Sequence, residues 1–341
     1  MRLEFNKKTI PEILAEFENK NTFEWQENIF EFLKNFENES DTIDFLYQKN
    51  DQIFKSIYGK KFVNDVFLSM NKFLNLNEGD KALFALSALE NEGMILLTQA
   101  IIGKLDLFCI EYAEEIKIPD TGVDQNKIGF VIDYAIILEK QLEKSISSLS
   151  RINKIATINN DSDLFEKVVD KANFYSIIAE NGYPIGIKRF NQLEYTVLDK
   201  INVFEDKIGN LMISSEYNPE AINSNKRVFI LDNKFKFIAN NEAKVGKENK
   251  VVNFDLIEEK LNKYIDLNFS VFDFPDKNSG VNVVTLVIES RFVTELNLPE
   301  HTLKPHETPE QIFYIGEFPK NNDKLSIRNE LKQLLIKSNK S

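Results

Sequence analysis

The sequence predicts an α+β protein, with a mainly α-helical N-terminal domain followed by a smaller α+β domain of about four strands and two helices. Two observations lead to this fold class. Apolar side chains recur at helical spacing up to residue 208, whereas short β-branched runs and turn residues follow Gly209. The 12 Gly and 9 Pro are few, which argues against a chain built mostly from tight turns. The domains are therefore predicted as 1–210 (helical) and 211–341 (α+β).

Four helices are predicted in the first part of the chain, over residues 10–17, 22–36, 41–57 and 61–75. The first has the clearest signal, because Thr9 and Glu12 form a capping box around Pro11 in the first turn. Short linkers between such helices predict antiparallel neighbours.

The stretch from residue 80 to residue 118 leaves two interpretations open. Residues 80–91 are rich in Ala and Leu, which favours a helix that ends at Gly93. The apolar run 94–102 fits either a buried helix or the second strand of a hairpin whose first strand is 83–89, and the same ambiguity covers 105–118.

The longest predicted helix runs from Lys127 to Ile152, with apolar residues three or four positions apart. A helix of this length could serve as the spine of the domain. Another helix is predicted from Asp161 to Ile178, and residues 190–208 fit a packed amphipathic helix or a short coiled-coil seam.

After Gly209 the pattern changes to that of a mixed domain. The predicted elements are a strand over 211–214, a hairpin over 227–238 with its turn at Asp232, a polar loop over 240–250, a helix over 253–265, strands over 281–288 and 311–318, and a closing helix over 325–336.

Composition and charge limit the function classes. The formal net charge of −12 disfavours nucleic acid as a partner unless basic residues gather in one patch. The single Cys109 cannot form an internal disulfide, and the N-terminus lacks the apolar core of a secretion signal. No apolar run is long enough to span a membrane. These features predict a soluble, cytoplasmic, bacterial protein with no membrane contact.

Motifs for common catalytic sites are missing from the sequence. It has no Walker A, GxGxxG, GxSxG or HExxH pattern, and two His and one Cys almost exclude His-based triads and Cys/His zinc sites. We therefore predict no cofactor and, as the leading hypothesis, a non-enzymatic protein–protein interaction or assembly component. Such a component would have a protein partner and could form a homo-oligomer.

The first alternative is a metal-dependent nuclease or phage-defence effector. Asp232 is followed ten residues later by Glu242 and then Lys244, an acid followed by acid-x-Lys. In such nucleases the carboxylates hold Mg²⁺ and the lysine steadies the attacking water. A solvated loop is the simpler interpretation of these three residues.

The second alternative is a nucleic-acid-associated protein that uses its basic C-terminal helix. The predicted contacts with nucleic acid or a partner are Lys320, Lys324, Arg328, Lys332 and Lys337.

A metal site is also conceivable where the two histidines lie close together. His301 and His306 are flanked by Glu300 and Glu307, so this segment could bind a divalent cation. Pro305 and the five-residue spacing leave its geometry undefined, and a surface loop is the alternative.

Overall fold

A mixed β-sheet is the centre of the first of two units in the computed structural model. The structure describes residues 1–18, 20–49, 52–118, 131–159, 173–206, 209–217, 220–239, 241–293, 299, 302–321 and 323–338. Unit 1 comprises residues 1–225 and 230–236, and unit 2 comprises residues 226–229 and 237–341. The boundary predicted near residue 210 lies inside unit 1, and a domain division at that point stays a prediction.

Unit 1 contains most of the strands. Its strands are β1 (Arg2–Glu4), β2 (Thr42–Lys49), β3 (Gln52–Gly59), β4 (Lys81–Phe84), β5 (Asp106–Cys109), β6 (Ile132–Ile136), β7 (Ile152–Ile158), β8 (Asn173–Glu180), β9 (Tyr183–Arg189), β10 (Tyr195–Val197), β11 (Ile201–Glu205) and β12 (Asn210–Ser215). The hairpin of β13 (Ile222–Leu231) and β14 (Lys234–Phe237) contributes residues to both units.

The helices of unit 1 come before and between these strands. They are α1 (Ile10–Phe17), α2 (Glu24–Glu37), α3 (Lys60–Leu74), α4 (Asn91–Gly103), α5 (Glu139–Lys144) and α6 (Ile146–Leu149).

The sheet has a parallel part and an antiparallel part. Among the described residues its order is β1-β5-β4-β6-β7-β8-β9-β10-β14-β13-β12-β11. The strands from β5 to β8 in this order run parallel to their neighbours. Their side chains, together with α4, form a buried core, as expected for parallel strands covered on both faces.

Unit 2 is a smaller α+β unit. Its elements are β15 (Glu242–Val245), β16 (Lys250–Asn253), α7 (Phe254–Leu261), β17 (Phe269–Pro275), β18 (Asn282–Glu289), β19 (Gln311–Ile315) and α8 (Lys324–Ser338). Strands β17 and β18 are antiparallel, and β19 runs parallel to β18. Helices α7 and α8 pack their apolar residues into one core with β17 and β18. The loop predicted over 240–250 instead contains the strand β15.

The predicted fold class is wrong, because the N-terminal part is organised around a sheet rather than around helices. The predicted helix 127–152 shows the reason. Residues 127–130 lie outside the described part, and the rest forms β6, α5, α6 and the start of β7. A strand buried on both faces is a continuous apolar run, and it can imitate the spacing of a helix where short helices follow it.

Three other predicted helices are also strands where the structure describes them. In the helix predicted over 41–57, the described residues from Thr42 onward belong to the antiparallel strands β2 and β3, with Ile43 and Phe45 buried on either side of the exposed Asp44. Of the helix predicted from Asp161 to Ile178, residues 160–172 lie outside the described part, and the remainder begins β8. The stretch 190–208 contains β10 and β11.

Local signals predicted other elements correctly. Helix α1 begins at Ile10, where the Thr9 amide donates to Glu12 Oε2 at 2.8 Å. The hairpin predicted at Asp232 is present, and Asp232 has a left-handed φ of 52° at its turn. For 94–102 the buried-helix interpretation is confirmed by α4, whereas the helix predicted over 80–91 is wrong, because Lys81–Phe84 forms the strand β4.

Candidate active site

The candidate site is the edge of the unit 1 sheet where β4, β5 and β6 end, which we name the carboxyl-end edge. Its residues are the segments 85–90 after β4, 110–116 after β5 and 137–140 after β6. Strand β4 lies between β5 and β6, and all three are parallel, so the chain crosses from one side of β4 to the other. Open α/β sheets bind their ligands outside the carboxyl ends of the strands at such a switch point.

The segment after β4 lies unusually close to the first turn of α4. The Glu90 amide donates to Ser87 O at 3.2 Å, and the Met94 amide donates to Glu90 O at 3.0 Å. A Cβ placed on Gly93 would lie 1.9 Å from Ser87 O. Only glycine permits this approach, so Gly93 fixes the shape of the segment.

The buried Gln141 holds two of these segments together. Its Nε2 donates to Ala85 O at 2.8 Å and to Ala113 O at 2.9 Å, so it bridges the segments after β4 and β5. Its Oε1 accepts from the Leu138 amide at 3.1 Å, so both ends of the Gln141 amide form hydrogen bonds. A fully buried amide with both ends paired gives the edge a fixed backbone geometry.

Charged groups from three segments meet at Lys140. Its Nζ lies 5.1 Å from the ring centroid of Tyr112, and its pKa is raised by a hydrogen bond with Tyr112 and by the negative charges of Glu90 and Glu114. The pKa of Glu92 is also raised, mainly because burial disfavours its charged form. A phosphate at the first turn of α4 would meet Glu90 and Glu92. An anionic group near Lys140 would meet a cation that already interacts with Tyr112, Glu90 and Glu114.

The residues of the nuclease hypothesis belong to different units. Asp232 is in unit 1, whereas Glu242 and Lys244 lie two positions apart on β15 in unit 2. Glu242 Oε1 accepts from Asn253 Nδ2 at 3.4 Å, and Lys244 Nζ lies 5.5 Å from the ring centroid of Phe229. Their convergence into one site stays a prediction.

Three of the five predicted C-terminal contact residues form ion pairs with carboxylates of unit 2. Lys324 Nζ lies 3.0 Å from Glu258, Arg328 is 3% exposed and pairs with the same carboxylate, and Lys332 Nζ lies 2.7 Å from Asp273. These pairs neutralise the basic face that binding to nucleic acid would require.

The other two predicted contact residues lie at the surface. Lys320 pairs with Glu317 at 3.3 Å, and Lys337 is exposed. A role for either in binding a partner stays a prediction.

The histidine metal site is only partly described. His301 lies outside the described residues, and His306 is exposed. Within the described part of the chain, no group of three or more His, Cys, Asp or Glu could hold a metal ion. The role of these two histidines as ligands stays a prediction.

Sequence reasoning did not identify the residues of the carboxyl-end edge. The available signal was a short apolar run (Ala82–Ala85), then a segment that ends in Glu90-Asn91-Glu92, then an apolar helix after Gly93, which is the pattern of a βαβ unit. The contacts of Gln141 connect residues far apart in sequence, and no local pattern indicates them.

The fold is similar to that of a solved structure described as acyl-CoA synthetase (AMP-forming)/AMP-acid ligase II-like protein, from Dyadobacter fermentans DSM 18053. The TM-score is 0.64 and the identity 18%, over 94% of this chain and 98% of that chain. Weaker matches are wild-type E. coli MenE with a bound OSB-AMS analogue (TM-score 0.47, 10% identity, 86% and 69% covered) and the Mycobacterium tuberculosis fatty acyl CoA synthetase (0.46, 11%, 87% and 69%).

No family model and no curated protein matches the sequence. The match in fold nevertheless overturns the prediction of a non-enzymatic interaction or assembly component, together with its nuclease and nucleic-acid alternatives. It also overturns the expectation that the chain is more likely not an enzyme. The architecture is similar to that of a protein described as synthetase- and ligase-like. The large sheet also contradicts the predicted description of the protein as helical.

In the part of the chain that the structure describes, no helix is both long enough and apolar enough to cross a bilayer.

Proposed function

We propose that this chain is an enzyme that activates a carboxylic acid by forming an acyl adenylate. The supporting observation is the fold shared with the AMP-forming synthetase-like protein over nearly the whole of both chains. In this reaction class a carboxylate oxygen attacks the α-phosphorus of ATP and pyrophosphate leaves. A thiol can then attack the acyl carbon, and AMP leaves.

The carboxyl-end edge supports this proposal through the residues it offers to an anion. Lys140 is a cation at the meeting point of three segments, held close to Tyr112. Gln141 keeps the backbone of two of those segments in place. We expect Lys140 to pair with a negatively charged group of a substrate and Gln141 to act as a positioning residue.

The test is the formation of AMP and pyrophosphate by the purified chain with ATP, Mg²⁺ and a panel of aliphatic and aromatic carboxylic acids. We expect AMP to appear only when both ATP and a suitable acid are present. Failure to form AMP with any acid, together with absence of ATP binding in calorimetry, would overturn the proposal.

A matched pair of variants tests the role of the edge. Lys140→Ala removes the cation near Tyr112, and we expect it to lower the rate about tenfold, the effect of losing one charge-assisted hydrogen bond. Lys144→Ala, one turn further along α5, removes the exposed ion pair with Glu114 and should leave the rate unchanged. If the two variants change the rate equally, Lys140 has no specific role in the reaction. We further expect the reaction to take place in the cytoplasm, where ATP is available.

A further inference from the structure

The hairpin of β2 and β3 in unit 1 has an outer edge without a strand partner. Among the described residues these two strands form a sheet of their own, separate from the large sheet. The outer edge of β2 faces α4, because the Leu46 amide donates to Met94 Sδ at 3.3 Å. No strand pairs with β3 on its other side in the part of the chain that the structure describes. The outward backbone groups of β3 are therefore a template for an added strand.

Two hydrogen bonds identify which backbone groups of β3 point outward. Leu46 lies opposite Lys55 in the hairpin, and the Leu46 amide donates away from β3. In an antiparallel pair, such opposite residues both direct their N–H and C=O groups away from each other, and they alternate with residues that bond to each other. The Lys60 amide, which donates to Asp41 O at 2.7 Å at the base of the hairpin, fits the same alternation. Lys55 and every second residue of β3 on either side of it therefore point their backbone groups outward.

The outward positions of β3 also carry exposed apolar side chains. They are Ile53, Lys55 and Ile57, and the two isoleucine residues are 76% and 60% exposed. Their side chains share the outer face of the hairpin, whereas Phe45 and Tyr58 on the opposite face are buried. Two exposed isoleucines on an unpaired strand edge are an unusual combination, since edges are commonly protected against pairing.

Lys55 does not protect this edge in the usual way. A lysine in the middle of an edge strand normally opposes pairing, because its charge would be brought against another strand. Here Lys55 Nζ lies 2.6 Å from Asp44 Oδ2 on the neighbouring strand β2. The ammonium is therefore directed across the hairpin, away from the outer edge, and its charge is compensated within the hairpin.

We propose that β3 pairs with the β3 of a second copy of this chain, antiparallel and about a two-fold axis at Lys55. The outward positions are symmetric about Lys55, so the same edge can serve both subunits, as an isologous dimer requires. This register places Ile53 opposite Ile57 of the second copy on both sides of the axis. A shift by two residues in either direction would place an isoleucine opposite a lysine instead, so the side chains select the symmetric register.

The proposal concerns the hairpin alone and does not depend on the proposed reaction. The interface consists of one short strand from each copy, which is smaller than the interfaces of stable dimers, so we expect a dissociation constant on the order of 100 μM. Sedimentation velocity of the full chain from about 5 μM to about 500 μM should show a shift from monomer to dimer over this range. A monomer at every concentration would overturn the proposal.

Charge substitutions at the two isoleucines test the register. Ile53→Lys alone and Ile57→Glu alone each place a charge opposite an isoleucine at two symmetric positions, and each should weaken dimerisation at least about tenfold. The double variant Ile53→Lys/Ile57→Glu places the introduced charges opposite each other, with opposite sign, and should dimerise more tightly than either single variant. Both positions are exposed, so the fold of unit 1 does not depend on them.

Leu193→Lys is the matched control, because Leu193 is 79% exposed and lies outside the hairpin, between β9 and β10. It should leave the dissociation constant unchanged. A dimer that both single variants leave intact, or a double variant that dimerises no better than the single ones, would overturn the proposed pairing of β3.

Discussion

Arg328 and Glu258 form an ion pair of 2.8 Å in which the two side chains are 4% and 8% exposed. Glu258 Oε1 also accepts from the Val271 amide at 2.9 Å, so one carboxylate connects α7, α8 and β17. Buried charges lose their hydration, and they persist where hydrogen bonds and an opposite charge replace it. The pair therefore adds a buried charged contact to the apolar packing of α8 in unit 2.

Removing that arginine should destabilise unit 2 strongly. We expect Arg328→Ala to lower the free energy of unfolding by about 3–5 kcal/mol, because Glu258 would keep a buried charge with less compensation. Lys324→Ala removes the more exposed partner of the same carboxylate and should cost about 0–1 kcal/mol. Urea denaturation followed by circular dichroism measures both, and similar losses would contradict the importance of burial.

The carboxylate of Asp255 should make stability depend on acidic pH. Burial raises its pKa, but hydrogen bonds from Asn241 and Arg328 outweigh this and lower it overall. A lowered folded-state pKa means that the stabilisation is present above about pH 4, the unfolded value, and is lost as pH falls through the folded value.

Asp255→Asn should therefore lower the free energy of unfolding at pH 7, and the difference from the native chain should shrink below about pH 4. The side chain is 40% exposed, so we expect the loss at pH 7 to be at most about 1 kcal/mol. The exposed Asp266→Asn serves as control. A difference that stays constant down to pH 2 would show that ionisation of Asp255 is not its source.

The carboxyl-end edge should be sensitive to a single methyl group at Gly93. Its Cβ would lie 1.9 Å from the backbone oxygen of Ser87, which cannot rotate away as a side chain could. We expect Gly93→Ala to cost about 1–3 kcal/mol, the usual penalty of overpacking. Gly59→Ala, at the N-cap of α3 with its closest contact at 4.0 Å, should cost less, about 0.5–1 kcal/mol, because only the preference of an N-cap for Gly over Ala is lost. Thermal unfolding of both variants measures this, and equal melting temperatures would refute the close approach.

Local sequence signals correctly predicted helix starts and hairpin turns, which depend only on neighbouring residues. Thr9 and Glu12 predict the start of α1, and the turn residues around Asp232 predict a hairpin. The Asn181–Gly182 pair also indicated a two-residue hairpin turn, since both residues have positive φ (49° and 93°). Gly also marks the ends of helices, so the same pair fits the end of the helix predicted from Asp161 to Ile178.

The spacing of apolar residues along the sequence could not predict the sheet of unit 1. A parallel strand such as Ile132–Ile136 is apolar throughout, and only its pairing with strands distant in sequence distinguishes it from a buried helix. The candidate site also depends on contacts between residues that are distant in sequence. Gln141 bonds to Ala85, 56 positions away, and such a contact follows from topology rather than from spacing. The absence of known catalytic motifs was therefore a poor argument against an enzyme.

Cys109, at the end of β5, should be unreactive in the folded protein. Its side chain is 1% exposed, and burial raises the pKa of its thiol to about 12, although the nearby N-terminal ammonium opposes this shift. That ammonium donates to the Cys109 backbone oxygen at 2.8 Å, which also holds β1 against β5. Because the thiolate is the reactive form, we expect no labelling by a disulfide reagent at pH 8, and little increase up to pH 9. The same reagent in urea should label one thiol per chain. Rapid labelling without denaturant would show that the β1–β5 edge opens readily and would contradict the prediction.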